Sequence, residues 1–70
     1  MHGVVTKVIF SRGFGFIRGE DGLSRFFHQR AVVDARAFDL MHEGQPVLFT
    51  PTEDGPSDNR LRAVEVRIDK

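Results

Sequence analysis

The chain has no cysteine, no tryptophan, no tyrosine and no net charge. Without cysteine there is no disulfide to staple the fold and no thiolate to hold zinc. A reducing, cytoplasmic setting fits that composition. The longest apolar runs are three residues, at Val8-Ile9-Phe10, Ala31-Val32-Val33 and Val47-Leu48-Phe49. Runs this short exclude a membrane-spanning helix and the core of a secretory signal. Seventy residues make one small domain spanning 1–70. At such a length neither a second domain nor a deep enzyme cleft is expected. Charged residues at 29% and apolar residues at 40% are ordinary for a globular domain.

The zero net charge hides an asymmetry. Residues 1–36 hold six basic and three acidic side chains, whereas 37–70 hold four and seven. Net charge neither demands nor excludes a polyanionic partner, but the N-terminal half is where one would bind. The aromatics are seven phenylalanines, five of them between Phe10 and Phe27.

Glycine and proline punctuate the chain at short intervals, as in all-β proteins. Gly3 to Phe10 is β-branched and extended in character, and Ser11-Arg12-Gly13 turns the chain. Phe14 to Arg18 forms a second strand, and Asp21-Gly22 is a hairpin signal before a third from Leu23 to His28. Residues 29–44 mix helix formers with Asp34, Asp39 and Gly44. The expectation there is a single turn near Gln29–Val32 followed by a long loop, with a full helix from Ala31 to Met41 as the alternative. Gln45 to Thr50 is the fourth strand, Pro51 to Asn59 a polar turn region built on Asp54-Gly55-Pro56, and Leu61 to Ile68 the fifth strand. In that last strand Val64, Val66 and Ile68 alternate with Glu65 and Arg67. Five short strands cannot bury one face as a flat open sheet. Closing into a small OB-like or SH3-like barrel removes the exposed edges.

The informative string is Arg12-Gly13-Phe14-Gly15-Phe16-Ile17. Side chains alternate across a strand, so Phe14 and Phe16 share a face and Ile17 takes the other. Their Cα atoms lie about 6.6 Å apart at roughly 3.3 Å rise per residue. A buried Phe pair would leave Gly, Gly and Ile facing solvent. The reverse assignment buries Ile17 and presents two rings to water, where base stacking is a reason to keep them. Phe26 and His28 share a face likewise, with Phe27 on the other. Four flat rings on neighbouring strands would make a stacking platform, with Lys7, Arg12 and Arg25 supplying phosphate contacts at its rim.

An RNA-recognition motif carries a similar Arg-Gly-Phe-Gly-Phe string on its third strand, after a helix. Here the string begins at residue 12, with room for one strand before it, which rules that module out. No metal site emerges, because His2, His28 and His42 are far apart and no regular carboxylate spacing joins them. Glu20-Asp21 and Glu53-Asp54 precede glycine in turns and read as solvated turn chemistry. No catalytic triad, Walker loop or dinucleotide fingerprint is present. Neither an enzyme nor a small-molecule substrate or cofactor is expected.

Taken together, Gly3-Val4-Val5, the Arg12–Ile17 string, Phe26-Phe27-His28, Glu43-Gly44-Gln45 and Arg62-Ala63-Val64-Glu65-Val66 resemble the cold-shock domain family, over Gly3 to Ile68. The resemblance implies an all-β fold, a five-stranded antiparallel OB-type barrel with a short 3₁₀ turn after the third strand. It also implies binding of single-stranded RNA and DNA on an aromatic face, as an RNA chaperone or a regulator of transcription or translation. Carried onto this chain, the platform is Phe14, Phe16, Phe26 and His28, with Arg12 beside it and Phe38 as a further stacking ring in the loop before Glu43. The chain departs from the family at Lys7, where an exposed tryptophan is usual, at Val8, where phenylalanine is, and at Gln29, which replaces the aromatic after the histidine. Lys7 exchanges a stack for a phosphate contact, and Gln29 offers hydrogen bonds to a base edge. Binding weaker than, or differently selective from, that of a typical member is expected. Phe10 either replaces part of the lost surface or packs on the barrel. The local pattern around Lys7 has no clean period. The family alignment puts Val5 inward and so requires a twist or bulge to turn Lys7 out. A monomer is expected. A barrel that chiefly binds protein, on its acidic C-terminal half, is the competing expectation.

Overall fold

A computed structural model describes residues 1–53 and 61–69. Five strands, β1 (His2–Ile9), β2 (Phe14–Gly19), β3 (Ser24–His28), β4 (Pro46–Glu53) and β5 (Leu61–Ile68), close into a barrel in the order β1-β2-β3-β5-β4. β4 pairs with β1 to complete the ring. Three of the seams beside that one are β1–β2, β2–β3 and β4–β5, all antiparallel. The seam between β3 and β5 is parallel, so the pairing is mixed rather than wholly antiparallel. The expected turn on Asp54-Gly55-Pro56 lies outside the described residues.

A 3₁₀ turn at Gln29–Ala31 follows β3 as expected, with the His28 side chain accepting from the Arg30 amide. The segment after it is not a plain loop. A short helix, α1 (Ala35–Leu40), forms there, and the Asp34 carboxylate accepts from the Arg36 amide at its start. The helix is favoured because an N-cap satisfies an otherwise orphaned amide while Ala37 and Phe38 turn into the core. It is shorter than the Ala31–Met41 alternative because the chain first takes an extended course through Val32 and Asp34.

The core is Val5, Ile17, Phe27, Val32, Ala37, Phe38, Met41, Val47, Phe49, Ala63 and Val66. Two irregularities decide which other residues face outward. In β1, Val5 pairs with Ile17 but Lys7 pairs with Phe16, which leaves Thr6 as an extra residue. This bulge is the one that Lys7 requires, and it reverses the parity of the strand. In β5, Thr50 pairs with Val64 but Leu48 pairs with Arg67, so two steps on β4 face three on β5. Glu65 lies in that interval with φ at +50°. The buried positions of β5 are accordingly Ala63 and Val66, three apart, and the even alternation expected for Val64, Val66 and Ile68 does not hold.

Gly15 shows why the Phe-Gly-Phe string folds as it does. A Cβ there would sit 2.8 Å from the Phe27 ring and 2.5 Å from the Lys7 carbonyl oxygen. The inward face at residue 15 is therefore occupied by Phe27, which is only 1% exposed. Arg25 shares that inward parity with Phe27. It is 5% exposed, with its guanidinium carbon 5.5 Å from the centre of the Phe49 ring. Its terminal nitrogens donate to both Asp21 carboxylate oxygens, at 2.6 and 3.0 Å, and thereby tie the hairpin turn to the end of the barrel. That bond, more than any other influence, holds the Asp21 carboxyl at a pKa of about 2, below the usual 3.8.

Gly15→Ala should cost about 1–3 kcal/mol in urea unfolding, because neither the Phe27 ring nor the backbone can retreat without strain. Glu65→Gly should instead raise stability by up to about 1 kcal/mol, since glycine adopts the left-handed backbone freely. Because the folded carboxyl of Asp21 titrates below its unfolded value, its contribution is complete above pH ~4 and lost as pH falls towards 2. The urea midpoint of the wild type should therefore fall more steeply over that window than that of Asp21→Asn. Parallel acid profiles for the two proteins would show that the Arg25 pair does not stabilise the fold.

Candidate nucleic-acid interface

The outward face of the first three strands forms a grid fixed by backbone pairing. One row is Ile9, Phe14 and His28; the next is Lys7, Phe16 and Phe26; the third is Val4, Arg18 and Ser24. Gly15 and Ile17 point inward between these rows, with Ile17 fully buried. The grid explains how glycine and β-branched residues can display rings without emptying the core, since Phe27 supplies the missing volume beneath Gly15.

The three rings touch one another. Phe14 and Phe26 have centroids 5.4 Å apart at 35°, Phe14 and Phe16 are 6.0 Å apart at 89°, and Phe16 and Phe26 are 6.0 Å apart at 74°. Such edge and tilted contacts are the favoured geometries for aromatic pairs. They leave each ring half-buried and keep the cluster rigid. His28 is exposed and lies across from Phe14. Its Nδ1 accepts from the Arg30 amide at 3.1 Å, which fixes the ring at the mouth of the 3₁₀ turn.

Lys7 is exposed in register with Phe16. Arg12 is exposed on the turn after β1, and Gly13, with φ at +74°, follows it in the left-handed region. Gln29 is exposed too, and its backbone N–H donates to the Gly13 carbonyl at 2.8 Å, so the Arg12 turn and the 3₁₀ turn meet beside His28. The structure thus brings together Lys7, Arg12, Phe14, Phe16, Phe26, His28 and Gln29.

Two expected site residues stand elsewhere. Arg25 faces inward and is held by Asp21, so it does not stand at the rim of the face. Phe38 is 3% exposed and packs on Phe27, because α1 turns it into the core rather than leaving it in a loop. Phe10 lies edge-on against Phe38 with centroids 5.7 Å apart, yet remains 52% exposed. It packs on the barrel and also presents surface.

Sequence reasoning missed two cations. Arg18 is exposed and belongs to the same face as Phe14 and Phe16 by simple alternation along β2. Arg62 pairs with Phe26 across the parallel seam, and its guanidinium carbon lies 5.5 Å from the centre of that ring. No local signal marks Arg62, because even alternation with Val64 and Val66 assigns it to the interior. Among the described residues the ion pairs are His2 with Asp69 and Arg25 with Asp21. Lys7, Arg12, Arg18 and Arg62 are thus engaged in none of them, and the face carries positive charge beside its rings.

A rigid aromatic cluster flanked by cations can stack flat rings and attract phosphates. No curated protein sequence matches the chain closely. The family model of the 'Cold-shock' DNA-binding domain matches residues 1–68, almost the whole length. With the closed five-stranded barrel and the ring-bearing face, that match assigns the chain to the cold-shock domain family of nucleic-acid-binding proteins.

Proposed function

We propose that this protein binds single-stranded RNA and DNA by stacking bases on Phe14, Phe16 and Phe26, with His28 extending the surface. The observation that carries the reading is the contact of three half-exposed rings on one outward face, with glycine at the inward position between Phe14 and Phe16. Lys7, Arg12 and Arg18 supply phosphate contacts, and Gln29 offers its amide to a base edge. Stacking bases on single strands opposes weak base pairing, so the protein acts as an RNA chaperone or as a regulator of transcription or translation. It works as a cytoplasmic monomer, without catalysis, cofactor or small-molecule substrate. Among the described residues no helix is long and apolar enough to cross a membrane.

Phe14→Ala should weaken binding to a short single-stranded oligonucleotide by about 1–3 kcal/mol, the range for one base stack. Its cost in stability should be smaller than the loss of about 3–5 kcal/mol expected for Phe27→Ala in the core. With three to five phosphates contacted, the slope of log K against log salt should be roughly −2 to −3.5. Normal binding by Phe14→Ala, or no single-strand binding by the wild type, would favour a protein-interaction barrel instead.

A further inference from the structure

Arg62 completes a row that crosses four strands by register: Lys7, Phe16, Phe26, Arg62. At about 4.8 Å between neighbouring strands, the row spans roughly 14 Å, with two rings in the middle and a cation at each end. The two cations differ in chemistry. Lys7 is a point charge on a flexible stem, whereas Arg62 is a planar fork.

Arg62 contributes few polar contacts to the fold. Its Nε is buried without a hydrogen-bond partner, and the guanidinium joins no ion pair with a described carboxylate. Arg25, the neighbour of Phe26 in sequence, differs in its terminal nitrogens, two of which are held by Asp21. Two hollows flank Phe26, and Arg62 lines both. One, of about 360 Å³, lies among Phe16, Ser24, Phe26, Leu61 and Arg62. The other, of about 380 Å³, includes His28 and Arg30. Among the described residues no carboxylate lines either hollow.

We propose that Arg62 reads a base. Within the single-strand binding proposed above, on which this step rests, its terminal nitrogens select a nucleotide stacked at Phe26 whose edge offers two adjacent acceptors, guanine before all others. A guanidinium donates and never accepts. Guanine presents O6 and N7 side by side, whereas adenine places an amino donor beside its N7. Uracil alternates acceptor, donor and acceptor along its pairing edge, so a two-donor fork meets a clash there. Cytosine, with O2 and N3 adjacent, ranks second. The contact is to a base edge rather than to phosphate because the guanidinium lies against the Phe26 ring itself. A base stacked on that ring brings its edge to this position and leaves its phosphate a sugar's width away.

The test uses seven-nucleotide oligouridylates carrying guanosine, cytidine, adenosine or uridine at the centre, bound to wild type, Arg62→Gln and Arg62→Lys, with folding checked by circular dichroism. The strand is free to slide until the variable base reaches Arg62. The wild type should bind the guanosine oligonucleotide about tenfold tighter than the adenosine one. Both variants should lose that preference, Arg62→Lys included, because a lysine keeps the charge but not the fork. A preference that survives in Arg62→Lys overturns the proposal. So does an equal weakening of all four oligonucleotides with the salt slope shallower by about 0.7, which marks a phosphate contact. Wild-type binding that depends on Phe14 but shows no base preference defeats the role of Arg62 alone. Absence of wild-type binding to every oligonucleotide defeats the stacking face as well.

Discussion

The placement of the Phe27 ring beneath Gly15 is the contact on which the outer face depends. A side chain at residue 15 would collide with that ring and with the first strand. Because glycine leaves the space, Phe27 fills the interior from the third strand and Ile17 fills it from the second, both nearly or fully buried. The opposite parity on both strands then has no interior to enter. Phe14, Phe16, Phe26 and His28 are displayed because Phe27 and Ile17 are not. The large aromatic surface in water is thus a consequence of how the barrel is filled, and the mutual contacts of the rings limit its exposure.

Two bulges extend this logic to the charges. The extra residue at Thr6 lets Val5 stay in the core while Lys7 turns out beside Phe16. The irregularity at Glu65, adopted at positive φ, lets Val66 stay in the core while Ala63 replaces Val64 as the inward residue. Arg62 is thereby delivered to Phe26. Each bulge reverses strand parity over a short distance, and each places a cation at one end of the aromatic row. Bulges are common where a barrel must redirect a side chain towards a site.

Much of this was legible from local pattern. The five strands follow from turn signals, and their positions shift by no more than a few residues, as with β4 running on to Glu53. The pattern itself sorts Phe14, Phe16 and Ile17 onto their faces, because the alternative is a solvent face of glycines. Lys7 was not legible from pattern, since Val4 to Ile9 has no clean period, and the alignment with a family supplied the missing bulge. Arg25 was misplaced for a reason available in the sequence: it shares parity with Phe27, and Asp21 stands four residues earlier to neutralise it. Phe38 was misplaced because a six-residue helix depends on one cap and on tertiary burial, both weak signals in isolation. Arg62 could not be found, because a positive-φ glutamate leaves no trace in hydrophobic periodicity, and a parallel pairing joins residues far apart in the chain.

We take the outer face of β1, β2 and β3, with Arg62 of β5 at its edge, to be the binding surface. Backbone amide shifts in a two-dimensional NMR titration with a seven-nucleotide single strand test it most directly. Changes should concentrate at Lys7, Phe14, Gly15, Phe16, Phe26, His28 and Arg62, and a blunt duplex of the same sequence should produce far smaller ones. Changes centred on Arg36, Leu40 and Arg67, or equal responses to duplex and single strand, would contradict the account.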